Sequence, residues 1–395
     1  MTGDPPGGDH RPGPSLRGLF VSFLRLGAVS FGGPAMVTCI RQLAVVRHRW
    51  LTEEDFEEGV ALCQAVPGAT AMQCAAYVGL RLRRLPGAVA AYLGFGLPAF
   101  ALMLALAVAY ARAVELEAVT AALAGLRALA VALVANAAWR FARAAVLGVR
   151  QGAISLAAAL AFLGRTNPLW IVLAAGLAGS LVLRGPRTGE HGRRERRDAG
   201  WRSLRAPALL LTLAAALVTG LFVADRRLAC LGLVMMKVDL LAFGGGFASV
   251  PLMFREVVEA RGWMPAGAFM DGIALGQVTP GPIVITATFV GQQVAGVPGA
   301  VVATLGVFLP SLMVVALGTP WCVRLRTQAA FQGVSRGLVL SFVGLLASVT
   351  VQFARLAPWS VPSALIALAA LVALRLNVDV LWVVLVGAVV SAVVL

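Results

Sequence analysis

The chain has 395 residues, of which 59% are hydrophobic and only 13% are charged, and its mean hydropathy is +0.87. A soluble domain carries about 25% charged residues, so the composition excludes an ordinary soluble protein and indicates a polytopic membrane protein. The net charge of +15 does not indicate nucleic-acid binding, because the arginines fall mostly between apolar runs, as in loops that stay cytoplasmic.

The chain begins with a polar segment, 1–16, which is rich in Pro and Gly and predicts a disordered tail without the features of a signal peptide. Apolar runs long enough to cross a bilayer follow it. The polar run 184–205 interrupts them and predicts a basic cytoplasmic linker. The thirteen predicted spans are 17–38, 59–80, 88–111, 118–138, 145–163, 167–183, 206–223, 228–252, 268–291, 299–319, 331–353, 361–374 and 379–395.

The chain is an internal duplication with an offset of 212 or 213 residues. The matching motifs are FGGP at Phe31–Pro34 with FGGG at Phe243–Gly246, ALCQAVPGA at Ala61–Ala69 with ALGQVTPGP at Ala274–Pro282, and PGAV at Pro86–Val89 with PGAV at Pro298–Val301. They predict an all-α membrane protein of two six-helix repeats, 17–183 and 228–395. Because the single linking helix 206–223 lies between them, the second repeat is predicted to cross the membrane in the opposite orientation to the first.

Loop charges support the inversion. The loop Arg81–Gly87 of the first half reads RLRRLPG, whereas the equivalent Gln292–Gly299 reads QQVAGVPG and carries no charge. With thirteen crossings and a cytoplasmic N-terminus, the C-terminus lies outside. Under this topology Arg226–Arg227 and the group Arg41, Arg47 and Arg49 are exceptions to the positive-inside rule, and acidic residues in Glu53–Glu58 offset the latter group.

A Pro-Gly pair interrupts the second predicted span of each half, at Pro67–Gly68 and at Pro280–Gly281. Each pair comes three residues after a glutamine, Gln64 or Gln277. A broken helix in lipid must face protein or a water-filled cavity, and the N-terminal end of a half-helix attracts anions. A packing kink is the alternative for a single pair, but two equivalent pairs favour a site. The glycines Gly32–Gly33 and Gly244–Gly246 of these motifs have two interpretations. They predict either close packing of helices or a second pair of unwound points that line the same cavity.

Lys237 is the only lysine in the chain, stands two residues before Asp239, and corresponds to Arg25 in the first half. A charge at membrane depth costs about 2.5–3.5 kcal/mol on insertion scales and usually marks a transport pathway. On a continuous helix, residues two apart do not face each other. An ammonium can lose its proton where a guanidinium cannot, so Lys237 is predicted to exchange a proton as the anion binds and leaves, unless it only supplies charge.

Arg127 and Arg336 lie in the fourth span of each half and are predicted to flank a midplane cavity from opposite sides. Glu58 and Asp271 correspond at the starts of the broken spans. These carboxylates are symmetric candidates for proton binding, although they can also serve only to stabilise a helix N-terminus.

The candidate sites therefore fall into two groups. The substrate-binding candidates are Arg25, Gly32, Gly33, Gln64, Pro67, Gly68, Arg127, Lys237, Gly244, Gly245, Gln277, Pro280, Gly281, Pro282 and Arg336. The proton-coupling candidates are Glu58, Lys237, Asp239 and Asp271. The five cysteines form no CxxC and, with the three histidines, give no metal-site spacing, so neither a metal nor another cofactor is predicted.

These motifs resemble the chromate ion transporter family in its long, two-domain form. The family's marks, FGGP, then W, F, Q and PGP, then PG and P, stand in the first half as Phe31–Pro34, Trp50, Phe56, Gln64–Gly68, Pro86–Gly87 and Pro98. The resemblance covers about residues 17–395. It departs where PGAT replaces PGP in the first half and FGGG replaces FGGP in the second. The resemblance implies chromate efflux across the bacterial inner membrane, coupled to the proton-motive force, hence an antiporter that confers chromate resistance.

Two other functions stay open at this point. A transporter of sulfate, molybdate or another oxyanion has the same repeats and cations. A membrane-embedded enzyme needs a nucleophile or a metal cluster at membrane depth, and the sequence suggests none. The expected partners are the oxyanion, protons and the lipid bilayer. The sequence does not fix the oligomeric state, and a homodimer is compatible with it.

Overall fold

The computed structural model describes residues 14–31, 33–113, 117–164, 166–183, 212, 215–216, 219–326 and 329–394. The predicted tail up to residue 13, Gly32, the linker 184–205 and most of the linking span 206–223 lie outside the described residues. The described part of the chain is helical and contains no strand.

Among the described residues, each half contributes seven α-helices in the same order. The first half has α1 (Leu16–Val29), α2 (Gly33–Arg41), α3 (Glu53–Ala65), α4 (Thr70–Ala113), α5 (Glu117–Ala145), α6 (Val149–Leu163) and α7 (Pro168–Val182). The second half has α8 (Arg226–Leu241), α9 (Gly246–Phe254), α10 (Ala266–Val278), α11 (Thr286–Arg326), α12 (Ala329–Leu356), α13 (Val361–Arg375) and α14 (Val380–Val394). An irregular turn also recurs in both halves. A π-helical turn at Gln42–Arg47 follows α2, and another at Arg255–Glu259 follows α9.

The long helices α4 and α11 are tight helical hairpins. Non-helical dihedrals occur at Arg83 and Arg84 in α4, and at the equivalent Ala295 and Gly296 in α11. A Cβ on Gly79 would lie only 2.2 Å from the carbonyl oxygen of Gly87, eight residues later, so the chain has folded back on itself. We call the arms α4a (70–82), α4b (85–113), α11a (286–294) and α11b (297–326).

The turn in α4 has a strained backbone that the turn in α11 avoids. Arg84 has φ 53° and ψ −148°, a conformation that essentially only glycine adopts at low cost. Its counterpart is Gly296, with φ 63°. We expect Arg84→Gly to stabilise the protein by about 1–3 kcal/mol, measured as thermal unfolding in detergent. A lower unfolding temperature in Arg84→Gly would show that the arginine's contacts outweigh the strain.

The segment Val66–Ala69, which we call tip 1, joins two helices that lie side by side. A Cβ on Gly59 of α3 would lie 2.2 Å from the Tyr77 ring of α4a. At the far ends of the two helices, Arg81 pairs with Asp55 at 2.6 Å. The predicted span 59–80 is therefore a re-entrant hairpin, with its outer ends on one side of the protein and its tip inside. The prediction of a single broken crossing was wrong.

The first predicted span of the second half also folds back. Lys237 of α8 pairs with Glu256, nineteen residues later, at 2.6 Å, whereas a straight helix would separate them by about 28 Å. The predicted spans 228–252 and 17–38 each divide into two helices, α8 with α9 and α1 with α2. The count of thirteen crossings is therefore too high in these regions.

Four described helical segments contain a stretch that is long and apolar enough to cross a membrane; they are 70–113 and 283–317, which include the hairpin turns, and 122–145 and 331–356. The apolar helices α6, α7, α13 and α14 have 15 residues each. This corresponds to about 22 Å, less than the roughly 30 Å of a hydrocarbon core. The four long apolar segments, in a described structure that is otherwise helical, indicate a polytopic all-helical membrane protein.

The fold-back changes the expected side of three arginines. Arg41 pairs with Glu53 at the outer end of α3, close to the Asp55–Arg81 pair. The loop that carries Arg47 and Arg49 thus belongs to the same side as the α4 turn. These arginines no longer contradict the positive-inside rule, because their side is the one that carries the other positive loops of the first half.

We expect single cysteines at Arg49 and Arg83 to be labelled from the same side, and a cysteine at Gln292 from the opposite side. The measurement uses a membrane-impermeant thiol reagent on intact cells and everted vesicles, in a cysteine-free background. Labelling of positions 83 and 292 from one side would contradict the inverted repeat, whereas labelling of 49 and 83 from opposite sides would contradict the re-entrant hairpin.

The two halves interlock. Helices α6 and α7 pack against α12 of the second half, whereas α13 and α14 pack against α5 of the first. Helix α4 also packs against α11, its counterpart. The interior between the halves is where the tips of the re-entrant hairpins meet.

Candidate functional site

Four interruptions of the helices come together at the interface between the halves. The N–H of Gly68 in tip 1 donates to the carbonyl of Ala242, at the end of α8, at 2.9 Å. The N–H of Gly281 donates to the carbonyl of Ser30, at the end of α1, at 2.8 Å. We call Thr279–Pro282, which contains Gly281, tip 2. These two bonds are equivalent under the repeat, so each half holds the tip of the other.

Glycines allow this close approach. Gly68 and Gly281 have φ of 116° and 108°, and Gly244 and Gly245 have φ of 98° and 94°, which side chains strongly disfavour. A Cβ on Gly245 would lie 3.3 Å from the Thr70 hydroxyl. The N-terminal ends of α4 and α9 therefore meet, and both bring free N–H groups and partial positive charge to one place.

Tip 1 is tied to a buried carboxylate through one hydroxyl. The Ser311 hydroxyl of α11b lies 3.0 Å and 2.8 Å from the two oxygens of Asp239 and accepts from the N–H of Ala69 at 3.2 Å. Asp239 is 1% exposed. The first half has Gly27 and Ala99 at the equivalent positions, so this link exists on one side of the repeat only.

Several amides and hydroxyls near the tips are buried without a partner. Gln73, which is 0% exposed, donates from Nε2 to the carbonyl of Pro67. Its Oε1 has no hydrogen-bond partner, and the same holds for Ser30 Oγ and Gln277 Nε2. Such groups are uncommon in native structures and point to a bound water, ion or ligand.

Lys237 and Asp239 face different surroundings, as their spacing predicts. Lys237 binds Glu256, which also accepts from Arg261, and its side chain is 42% exposed. Lys237 therefore does not join the Asp239–Ser311 cluster. Arg25, its counterpart, is exposed. The predicted pair of cavity cations is thus not brought together at the tips.

Arg127, whose side chain is 30% exposed, forms an ion pair with the buried Asp271. Its guanidinium donates from Nε and Nη2 to the two oxygens of Asp271, each at 2.9 Å, and the Tyr110 hydroxyl donates to the same carboxylate at 2.9 Å. Asp271 is 0% exposed, whereas its counterpart Glu58 is exposed. The two proton-coupling candidates therefore have different environments.

Arg336 does not mirror Arg127. Helices α5 and α12 begin at residues 117 and 329, so the register of the repeat puts Arg127 opposite Val339, about one turn from Arg336. Arg336 is exposed. The predicted pair of arginines flanking one cavity is not found.

Gln64 lines an open groove of about 310 Å³ between α2 and α3. The Arg41–Glu53 ion pair lies at its outer end, and Gln64 lies next to tip 1. The groove therefore leads from one side of the protein toward the tips. Of the remaining candidates, Pro280 and Pro282 are buried in tip 2, Gly33 begins α2, and Gly32 lies outside the described residues.

Sequence reasoning missed Gln73, Ser311, Tyr110 and Arg255. Ser311 follows Pro310 where the first half has Ala99 after Pro98, so a comparison of the repeats for polar differences could have found it. Arg255 is buried, with its guanidinium 5.6 Å from the centre of the Phe162 ring. It donates to the carbonyls of Phe162 and Thr166. It thereby satisfies carbonyls at the end of α6.

Known proteins resemble the whole chain. The chromate transporter family matches residues 17–180 and again residues 229–392. The chain is 38% identical to an uncharacterised transporter of Methanocaldococcus jannaschii, over 98% of this chain and 96% of that protein. It is 32% identical to a chromate transport protein of Pseudomonas aeruginosa (87% and 82%) and 30% identical to one of Cupriavidus metallidurans (90% and 86%).

No solved structure matches the chain significantly. The two family matches cover most of the chain and reproduce its duplication. They also indicate a transporter and not an enzyme. The chain belongs to the chromate transporter family, in a form that carries two copies of the family's repeat.

Proposed function

We propose that this protein exports chromate across the bacterial inner membrane. The observation that carries the proposal is the meeting of tips 1 and 2 with the ends of α1 and α8, which brings helix N-termini to one buried point and suits an oxyanion. The names of the relatives from Pseudomonas aeruginosa and Cupriavidus metallidurans favour chromate over sulfate, the alternative substrate.

Export is electrically downhill from an inside-negative cell. Each charge gains about 2.3 kcal/mol per 100 mV, so an anion that leaves the cell needs no further energy for its charge. Proton antiport adds a second driving force, for which Asp239, Asp271 and Glu58 are the carboxylates available near the tips and helix starts. In this arrangement the N-terminus is cytoplasmic and the C-terminus is extracytoplasmic, as the basic turn Arg81–Arg84 favours.

The test is chromate uptake into everted membrane vesicles that contain the protein. We expect uptake that increases with an imposed inside-positive potential and that sulfate inhibits more weakly than unlabelled chromate. Vesicles carrying Pro67→Ala or Pro280→Ala, present at equal abundance, should take up less chromate, because the tip reverts toward helix. Vesicles without chromate uptake above the empty-membrane control would exclude the proposed function.

Lys237→Arg separates a structural from a proton-exchanging role. The ion pair with Glu256 predicts that Lys237→Arg keeps the transport rate and its pH profile, because a guanidinium also pairs with a carboxylate. Lys237→Met should lower the unfolding temperature, because Glu256 loses one of its two partners. A changed pH profile in Lys237→Arg, with normal protein abundance, would instead support proton exchange at this position.

A further inference from the structure

Three carboxylates are buried in the described part of the chain, those of Asp239, Glu256 and Asp271. Glu256 pairs with Lys237, and Asp271 pairs with Arg127. Asp239 forms an ion pair with none of the cations that the structure describes. A buried carboxylate without a cation is costly in its ionised form, because nothing offsets its desolvation. Asp239 is therefore the buried carboxylate that gains most from taking up a proton.

The hydroxyl that contacts Asp239 also holds tip 1. Ser311 Oγ lies 3.0 Å and 2.8 Å from the two carboxylate oxygens, and it accepts from the N–H of Ala69 at 3.2 Å. While Asp239 is ionised, the hydroxyl donates to it. This charge-assisted bond polarises the hydroxyl and makes its oxygen a better acceptor for Ala69. The ionised carboxylate thereby strengthens the bond that holds tip 1 against α11b.

A proton on Asp239 changes this chain of bonds. The protonated carboxyl becomes a donor, and Ser311 Oγ is an acceptor within its reach. The carboxyl then competes with the Ala69 N–H for the same oxygen. The charge assistance is lost as well, and a neutral hydrogen bond is roughly half as strong as a charged one. Protonation of Asp239 therefore loosens tip 1 from α11b.

The surroundings of Asp239 offer few other groups that titrate. Tyr92 of α4b interacts with Asp239, and its hydroxyl donates to the carbonyl of Phe308 at 2.6 Å; a tyrosine ionises only near about pH 10. Tip 1 and α9 contain no titratable residue, and α11b has none before Cys322. On α8 itself, Lys237 belongs to the separate ion-pair cluster with Glu256.

We propose that Asp239 takes up and releases the proton that is exchanged for the anion, and that Ser311 is a positioning residue that transmits this protonation to tip 1. The inference rests on the proposed function and selects one of the three carboxylates considered there. Asp271 is engaged with Arg127, and Glu58 is exposed to solvent, so neither combines burial with the absence of a cation.

Proton and anion then exclude each other through tip 1, as antiport requires. The ionised carboxylate holds the tip where the helix interruptions meet, whereas proton uptake releases it and disperses the helix N-termini proposed to attract the anion. Direct repulsion between Asp239 and the anion acts in the opposite sense, because it favours binding of proton and anion together. The direction of the pH gradient that drives transport distinguishes these two effects.

The first test observes the proton directly and needs no transport. Infrared difference spectra of the purified protein, taken as the pH is lowered to about 6, where exposed carboxylates stay ionised, should show the C=O band of a protonated carboxyl group. The band should be lost in Asp239→Asn and kept in Glu58→Gln, the matched control at an exposed carboxylate. A wild type without the band, or an unchanged band in Asp239→Asn, would overturn the inference.

The second test measures chromate accumulation in proteoliposomes with the membrane potential clamped at zero. An acid interior should drive uptake into wild-type vesicles, with the concentration ratio rising about tenfold per pH unit for each proton exchanged. Asp239→Asn should lose this accumulation and keep only a slower downhill flux, whereas Glu58→Gln should keep it. Accumulation that persists in Asp239→Asn, or that requires an alkaline interior in the wild type, would overturn the inference. Absence of chromate flux at every pH would instead reject the proposed function, and the infrared band would still decide on Asp239.

Ser311→Ala tests the positioning role, and it decides if Asp239→Asn does not reach the membrane. The first half has Ala99 at this position. Without the hydroxyl the ionised carboxylate loses a donor, so the midpoint of the infrared band should move about 1–2 pH units higher. The pH gradient should no longer drive accumulation, although the carboxylate still titrates. An unmoved midpoint, or accumulation that survives in Ser311→Ala, would refute the link between Asp239 and tip 1.

Discussion

Asp271→Ala is expected to destabilise the protein by about 3–5 kcal/mol, because it leaves the guanidinium of Arg127 partly buried without its carboxylate. In the native protein that carboxylate is 0% exposed and accepts from Arg127 and Tyr110. The measurement is thermal unfolding in detergent, followed by loss of the monodisperse species. An unfolding temperature within error of the wild type would show that the buried pair contributes nothing to the folded state.

A double substitution separates the cost of an unpaired charge from the value of the pair. Arg127→Met with Asp271→Leu removes both charges and keeps apolar volume, so it should recover much of the stability lost in Asp271→Ala. Arg41→Met, which breaks the half-exposed pair with Glu53, is a control for loss of a surface ion pair and should cost only about 0–1 kcal/mol.

The Arg127–Asp271–Tyr110 cluster joins α4b and α5 of one half to α10 of the other. The equivalent place in the first half has Glu58, which is exposed, beside an open groove along α2 and α3. The two halves are therefore related in sequence but differ at their hairpins: one hairpin is fixed by a buried ion pair and the other borders the groove. In transporters built from inverted repeats, the two repeats take different conformations when the protein opens on one side.

The duplication and the tips could be predicted from the sequence because their signals are local. Proline and glycine act on their own backbone, so Pro67–Gly68 and Pro280–Gly281 mark the interruptions wherever the helices lie. The positive φ values of Gly68 and Gly281 confirm that these positions leave the helix. The equivalent motifs also placed the two tips in matching positions.

The direction of the chain after each tip could not be predicted in this way. Hydropathy does not distinguish a broken helix that crosses the bilayer from two arms of about 20 Å that return to one side. The contacts that decide it, such as Arg81 with Asp55, join residues 26 apart and are set by packing. Charge did contain a hint, since Arg41, Arg47 and Arg49 contradicted the positive-inside rule only under the crossing topology.

Partners that lie far apart in the sequence were also beyond sequence reasoning. Asp239 binds Ser311, 72 residues away, and Arg127 binds Asp271, 144 residues away. Pairing Arg127 with Arg336 relied on similar neighbours, AGLRAL and GVSRGL, and not on the register of the repeat. A charge in an apolar run indicates that a partner exists but not which residue it is, as Lys237 and Glu256 also show.

Gly68→Ala is expected to abolish transport while the protein still reaches the membrane. Alanine is strained at φ 116°, and its Cβ would lie 2.0 Å from Ser311 Oγ and 2.8 Å from Gln73 Nε2. Ser311 cannot move away freely, because its hydroxyl is held by Asp239. The tip must therefore shift, and the bonds from Gly68 to Ala242 and from Ala69 to Ser311 are the first to break.

Two further glycines make this prediction specific to the tip. In Gly262→Ala the added Cβ has no neighbouring atom within 4 Å, and the residue has φ 59°. This substitution should cost about 1 kcal/mol of backbone strain and leave chromate flux intact. Gly281→Ala meets only the Ala99 methyl, at 2.7 Å, and should reduce flux less than Gly68→Ala does. The fluxes of the three variants, normalised to protein in the vesicles, should therefore increase from Gly68→Ala through Gly281→Ala to Gly262→Ala. Equal losses in all three would attribute the effect to backbone strain in general, and wild-type flux in Gly68→Ala would remove tip 1 from the transport pathway.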